Sequence, residues 1–221
     1  MRTHGKEFLE NLTPTAAYEV LKEGNQRFIN NLKINRNLLQ QVNETAGGQH
    51  PFAVVLSCMD SRTSVELIFD QGLGDIFSIR IAGNVVNEDI LGSIEYACKV
   101  VGSKLIVVLG HTRCGAIKGA CQEVKMGNLT GLLTKVQPAI DRSRSYRDED
   151  DSVYVEKVGY ANVLNSMEEI LEKSPIINEL YQQGQIGIVG GIYSVENGRV
   201  HFIKQMLADD AALQTQEQMA V

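Results

Sequence analysis

Short apolar segments separated by helical patterns are the feature that most limits the fold of this 221-residue chain. Four segments are predicted to be strands, at residues 52–56, 75–81, 105–110 and 186–193. Continuous apolar runs such as 52–56 and 105–110 are typical of strands that are covered on both faces. Helical spacing of apolar residues predicts helices between the strands, at residues 65–69, 88–101, 114–126 and 153–171. We therefore predict an α/β fold with an open, mostly parallel β-sheet flanked by helices.

Residues 1–50 are predicted to form an N-terminal helical arm ahead of the first strand. Thr13 is expected to cap one of its helices, because Pro14 then occupies the first helical position. The pair Ser174-Pro175 predicts a second helix start of the same kind. An arm that precedes the sheet has little core of its own to cover, so we consider the hypothesis that it packs on another subunit.

The C-terminal part of the chain is predicted to complete the sheet with a hairpin. Turn residues at 196–199 follow the glycine-rich strand, and residues 200–203 are expected to pair with it in antiparallel orientation. Residues 208–221 are polar and are expected to form a tail. The charged stretch 142–151 is interpreted as a surface loop, with a basic-then-acidic partner site as the alternative. The whole chain, 1–221, is interpreted as one domain.

Composition argues against several classes of function. The net charge of −6 and the pI near 5.3 argue against nucleic acid or an anionic membrane as the main partner. No apolar run approaches the roughly 20 residues that span a bilayer, and the first residues lack the apolar core of a signal peptide. We therefore expect a cytoplasmic protein, in which cysteines bind metal or are simply buried. Cys98 and Cys121 lie among apolar residues of predicted helices and are interpreted as buried.

Cysteine and histidine side chains follow two predicted strands at the point where each strand ends. Cys58 and Asp60 come after the strand at 52–56, and His111 and Cys114 come after the next long apolar run. The carboxyl ends of neighbouring parallel strands meet at one edge of a sheet, so these side chains are expected to lie close together. Two thiols and one imidazole suit Zn²⁺, and three protein ligands leave a fourth position for water. The spacing alone is equally compatible with a buried cysteine and a structural histidine.

Longer motifs around these residues make the interpretation specific. The sequence CMDSR at 58–62, together with GHTRCG at 110–115, resembles the signature pair of the β-class carbonic anhydrases. The similarity covers most of the chain and includes GLGDIF at 72–77 and RIAGN at 80–84, in the order that the family uses.

The resemblance implies a zinc enzyme with named ligands. Cys58, His111 and Cys114 would bind one Zn²⁺ per chain, and Asp60 and Arg62 would form the catalytic pair beside it. The implied reaction is the reversible hydration of CO₂ to bicarbonate and a proton by metal-bound hydroxide, gated by the Asp-Arg pair. Asp60 could also bind zinc itself and close the site.

Further matches to the family point to the open form of this site. Gln49 lies nine residues before the first zinc cysteine, and Phe77 and Tyr96 match positions that in the family reach the neighbouring subunit's pocket. With Gly115 they are expected to line the substrate pocket, which implies a homodimer or homotetramer with a pocket shared across the interface. The other subtype builds a regulatory bicarbonate site with tryptophan, and this chain has none. Helical periodicity also places Tyr96 opposite the apolar stripe of its helix.

Three competing functions are weighed against CO₂ hydration. The same zinc chemistry could act on CS₂ or COS. The chain could be an inactive structural zinc protein, but Asp60 and Arg62 have no purpose in such a site, which favours four protein ligands. A nucleotide-binding domain is disfavoured because no P-loop and no Gly-x-Gly-x-x-Gly follows the first strand. Ile81 and residues 63–65 depart from the family pattern, which affects pocket polarity and the first helical turn.

Overall fold

The computed structural model describes residues 5–207, and the tail predicted at 208–221 lies outside them. A five-stranded sheet forms its centre, in the order β2-β1-β3-β4-β5. The strands are β1 (Ala53–Ser57), β2 (Ile76–Arg80), β3 (Leu105–His111), β4 (Gly187–Tyr193) and β5 (Val200–Met206). The pairs that join β2, β1, β3 and β4 are parallel, and β5 pairs antiparallel with β4. The predicted α/β fold with an antiparallel C-terminal hairpin strand is confirmed.

Helices precede the sheet and connect its strands. Within residues 5–207 they are α1 (Lys6–Asn11), α2 (Pro14–Ile29), α3 (Leu38–Thr45), α4 (Val65–Ile68), α5 (Glu88–Glu95), α6 (Gly115–Cys121), α7 (Gly127–Leu133), α8 (Gln137–Arg142), α9 (Asp151–Lys173) and α10 (Pro175–Gln182). Thr13 and Ser174 cap α2 and α10 as predicted, each by accepting a hydrogen bond from the N–H three residues on, at 3.1 and 3.2 Å. A search of the described helices finds none with the length and hydropathy needed to cross a bilayer.

Two segments that were predicted as single helices are interrupted. After α5 the chain continues as one π-helical segment, Tyr96–Val101. The segment predicted to run from 114 to 126 contains only α6, because the backbone of Glu123 has a φ of 54°. An α-helix of L-residues does not include this left-handed conformation, so α6 ends and α7 begins after a turn.

Side chains along β1 and β3 alternate between two buried layers. Val54 and Leu56 face the layer covered by α5, α9 and α10, whereas Ala53 and Val55 face the layer covered by α1 and α2. All four are fully buried, which explains the unbroken apolar run in the sequence.

The helical arm packs largely on the chain's own sheet. Leu9, Ala17 and Leu21 of α1 and α2 are buried in the second layer. The expectation that the arm has little core of its own is therefore wrong for these two helices. Helix α3 differs, because Leu38 and Leu39 are 57% and 72% exposed.

A buried ion cluster connects the N-terminal arm to the segment that follows α4. We call it the Asp70 cluster, and it consists of Asp70, Arg27 and Arg36. The Asp70 carboxylate accepts hydrogen bonds from Arg27 Nε and Arg36 Nη1, both at 2.6 Å, and from the N–H of Ile34 at 3.2 Å. Burial raises the pKa of Asp70, but these hydrogen bonds outweigh it and hold the pKa below its ordinary value. Asp70 is therefore an ionised acceptor that fastens the chain after α2 to the end of α4.

Helix α9 lies very close to the sheet because two strand residues are glycines. A Cβ on Gly110 of β3 would lie 2.8 Å from Val163 Cγ2 and 2.9 Å from Ile192 Cδ1. A Cβ on Gly190 of β4 would lie 2.8 Å from Val163 Cγ1. This close packing brings α9 beside the carboxyl end of β3, where the metal ligands lie.

Candidate metal centre

The strand register brings the three predicted ligands together. Ser57 pairs with Leu109, so Cys58 leaves β1 beside the carboxyl end of β3, which carries His111. Three residues after His111, Cys114 occupies the cap position of α6. The ligand atoms of Cys58, His111 and Cys114 lie within 4.8 Å of one another, and all three residues are buried. No Asp or Glu of the described residues belongs to this cluster.

The donor atoms have the geometry and protonation that tetrahedral Zn²⁺ requires. Two sulfurs about 2.3 Å from one tetrahedral zinc ion lie about 3.8 Å apart, and the Sγ atoms of Cys58 and Cys114 are 3.9 Å apart. His111 Nδ1 lies 2.9 Å from the carbonyl oxygen of Thr112, so it carries the proton. Nε2 is then a lone-pair donor, and it is buried without a hydrogen-bond partner among residues 5–207. These residues fit zinc.

The environment favours a thiolate at this cluster. The hydrogen bond from Cys114 lowers the pKa of Cys58 to about 4, although burial acts in the opposite direction. The N–H of Gly83 also donates to Cys58 Sγ at 3.4 Å. That same hydrogen bond and burial raise the pKa of Cys114, so the pair favours one thiolate over two. A metal cation would stabilise both thiolates, since a coordinating thiol is deprotonated.

Asp60 and Arg62 form a two-pronged ion pair next to Cys58. Arg62 Nε donates to Asp60 Oδ1 at 2.9 Å and Arg62 Nη2 donates to Oδ2 at 2.8 Å. The backbone N–H of Arg62 donates to Oδ1 at 3.0 Å. These contacts with Arg62 hold the pKa of the Asp60 carboxyl well below its ordinary value, although burial opposes them. Both carboxylate oxygens are therefore directed toward Arg62.

Two residues that the sequence analysis did not select hold this pair in place. Thr63, which is 1% exposed, places its Oγ1 2.8 Å from the carbonyl oxygens of both Cys58 and Asp60. Arg80 donates to the same two carbonyl oxygens, at 3.2 and 2.5 Å. Arg80 pairs with Ser57 in the strand register. A charged residue at the end of a strand next to Cys58 is the sequence signal that could have identified this role.

A buried phenol lies at the same end of the sheet as the metal ligands. Tyr193 ends β4 opposite His111. Burial raises the pKa of Tyr193, and the charges of Arg62 and Asp60 act on it in opposite directions. The phenol is therefore a neutral polar group at this end of the sheet.

Of the four predicted pocket residues, Gly115 directly follows the ligand Cys114, and the other three are separated from the ligands in sequence. Gln49 is exposed between α3 and β1, and Gly115 is the exposed first residue of α6. Phe77 and Tyr96 form an edge-to-face pair with ring centroids 6.3 Å apart. This pair borders a cavity of about 520 Å³ that no metal ligand lines. Tyr96 is 53% exposed, as its position opposite the apolar stripe predicts.

Comparisons with known proteins identify the family and agree with the fold. A family model described as carbonic anhydrase matches residues 53–200. Carbonic anhydrase 2 of Mycobacterium tuberculosis is 38% identical over 199 residues, which cover 86% of this chain and 93% of that protein. The β-carbonic anhydrase of Coccomyxa, solved in complex with acetazolamide, superposes with a TM-score of 0.70 at 26% identity, covering 77% of this chain and 81% of that one. A tetrameric β-carbonic anhydrase of Sordaria macrospora gives a TM-score of 0.68 at 25% identity, covering 74% and 89%. This chain therefore belongs to the β-class carbonic anhydrases.

Proposed function

We propose that this chain binds one Zn²⁺ through Cys58, His111 and Cys114 and catalyses the reversible hydration of CO₂ to bicarbonate and a proton. The observation that carries the proposal is the buried sulfur, nitrogen, sulfur cluster, which no further Cys, His, Asp or Glu of the described residues joins. Zinc held by these three residues would supply Lewis-acid chemistry that makes water a nucleophile.

Asp60 and Arg62 act on the reacting water in this proposal. Because Arg62 keeps Asp60 ionised, the carboxylate can accept a hydrogen bond from that water and orient its lone pair toward CO₂. The same pairing holds Asp60 away from the ligand position, which makes the pair a gate. Thr63 and Arg80 fix the backbone that carries Asp60, and the ion pair with Arg62 sets the direction of its carboxylate.

A pocket shared between subunits completes the proposal. On the single chain Tyr96 is exposed and pairs with the half-buried Phe77. In the assembly this pair would line the metal pocket of a neighbouring subunit, together with Gln49 and Gly115. The relative from Sordaria macrospora is tetrameric, which supports a homodimer or homotetramer here. The net charge of −6 argues against nucleic acid or an anionic membrane as the main partner, and we propose a cytoplasmic location.

Stopped-flow measurement of CO₂ hydration by zinc-loaded protein at pH 7 and pH 8.5 tests the activity. Metal-replete protein that is silent at both values would overturn the proposal and leave a structural zinc protein or a CS₂ or COS hydrolase. Activity at pH 8.5 that collapses at pH 7 would contradict the open form and place Asp60 on the metal.

The variant Asp60→Asn tests the assigned role of the carboxylate. It should retain one zinc per chain and lose most of its turnover, by roughly 10²-fold for a removed acid–base group. Asp141→Asn is the matched control, because Asp141 forms an exposed ion pair with Arg144 at 2.8 Å away from the cluster. Wild-type turnover in the Asp60 variant would refute the role.

A further inference from the structure

We propose that Glu156 of α9 is a positioning residue for the metal-binding loop, which we define as residues 111–114. Glu156 is not a ligand and does not belong to the ligand cluster. The inference rests on the proposed function only in requiring that this loop holds the metal.

The loop depends on one residue in an unusual backbone conformation. His111 ends β3 and Cys114 caps α6, so the chain must turn from strand to helix within two residues. Arg113 makes that turn with a φ of 56°. A residue with a side chain adopts this left-handed conformation only when its surroundings hold it there. Because Arg113 directly precedes Cys114, its backbone determines where the Cys114 sulfur points.

Separate contacts hold the two halves of the loop. Thr112 is fixed to the end of β4, because its N–H donates to the carbonyl of Tyr193 at 3.0 Å and its Oγ1 accepts from the N–H of Val195 at 3.1 Å. The N–H of Arg113 donates instead to Glu156 Oε1 at 2.9 Å. The Arg113 guanidinium pairs with Glu196, but both side chains are more than half exposed, so that pair constrains the turn weakly.

Glu156 approaches the loop from a rigid element. Its neighbours on α9, Tyr154 and Val158, are 8% and 0% exposed and anchor the helix in the layer that also contains Cys58 and Cys114. A carboxylate that accepts from a backbone N–H makes a charge-assisted hydrogen bond, which is stronger than a neutral one. The described contacts therefore assign to Glu156 the task of holding Arg113 in its left-handed conformation.

The test measures zinc dissociation with a competing chelator and the absorption of the Co²⁺-substituted protein, which reports the coordination geometry. Glu156→Ala should release zinc about tenfold faster and alter the Co²⁺ bands, as expected when a residue that supports a ligand is removed. Glu156→Gln keeps the acceptor oxygen and should stay within about threefold of wild type. Glu156→Asp keeps the charge but loses the reach, so it should resemble the alanine variant. Glu172→Ala, exposed at the far end of the same helix, is the control.

Arg113→Gly gives a second, independent test of the mechanism. Glycine adopts a positive φ without strain, so adding Glu156→Ala to this background should change zinc release by less than about threefold. The inference would be overturned if Glu156→Ala changed zinc release equally in both backgrounds, or if Glu156→Ala released zinc at the wild-type rate. Either result would leave the proposed function intact as long as the wild-type enzyme hydrates CO₂. Wild-type protein that binds no zinc would overturn both.

Discussion

Replacing Asp70 by asparagine should destabilise the fold by about 3 kcal/mol, the lower end of the range for breaking a buried ion pair from one side. Asp70 is 3% exposed and Arg36 is 9% exposed, so Arg36 loses its charged partner without access to water. Arg27 is 26% exposed and can turn toward solvent, which is why the cost stays near the lower limit. Asparagine is the informative substitution, because the backbone φ of 47° at this position suits asparagine as well as aspartate.

Urea denaturation of the zinc-loaded protein at fixed concentration measures this cost. For an unfolding slope near 2–3 kcal/mol per molar urea, Asp70→Asn should lower the midpoint by about 1 M with the slope unchanged. Asp141→Asn removes an exposed pair with Arg144 and should change the free energy of unfolding by about 0.5 kcal/mol or less. A midpoint for the Asp70 variant as high as that of wild type would refute the reasoning.

The same variant gives a pH dependence of known sign. The pKa of Asp70 is lower in the folded protein than in the unfolded chain, where it is about 3.9. Its stabilising contribution is therefore fully present above that value and is lost as the pH falls through the lower, folded pKa. The difference in stability between wild type and Asp70→Asn should be constant from pH 7 to about pH 5 and shrink below about pH 4. A difference that grows on acidification would contradict this assignment.

Three further outcomes are expected. Gly110→Ala should destabilise the protein by about 1–3 kcal/mol in urea titrations, because its Cβ would press on Val163, and a neutral result would disprove the tight packing of α9. Thr63→Val should cost about 1–2 kcal/mol and reduce CO₂ hydration, because Oγ1 no longer bonds the carbonyls beside the ion pair; unchanged turnover would show that this support is dispensable. Burial raises the pKa of Cys98 to about 12 and that of Cys121 to about 11, and Cys121 is only half-buried. Mass spectrometry of zinc-loaded protein after iodoacetamide treatment should therefore find Cys121 modified before Cys98, which should react only on unfolding, and equal rates would contradict this order.

The strands and the metal cluster were predictable because their signals are local. The unbroken apolar runs at 52–56 and 105–110 correspond to β1 and β3, which are covered on both faces. Once those strands are parallel neighbours, the residues at their carboxyl ends must meet, and this brings Cys58 to His111. The helical conformation up to Val101 was predicted, but its π-helical form over Tyr96–Val101 was not, because a single π-turn has no local sequence signal.

Residues that depend on distant parts of the chain escaped sequence reasoning. Asp70 reads as an ordinary surface carboxylate until the arm brings Arg27 and Arg36 to it. Glu156 lies 43 positions after Arg113, and only the packing of α9 against β3 brings the two together. The arm itself was misjudged for a similar reason, since its apolar stripe finds a sheet face that is built from residues far along the chain.

Cys58 directly follows β1, whereas His111, 53 positions later, ends β3, so an ion held by all three ligands joins two parts of the chain that only the finished sheet brings together. The unfolded chain has no comparable metal site, so the binding free energy of the metal adds directly to the free energy of unfolding. At a free zinc concentration a thousand times the dissociation constant, this coupling amounts to about 4 kcal/mol, more than the loss of the Asp70 charge. The zinc supply would then determine the stability of the folded enzyme as well as its turnover, and a strong chelator would destabilise the fold.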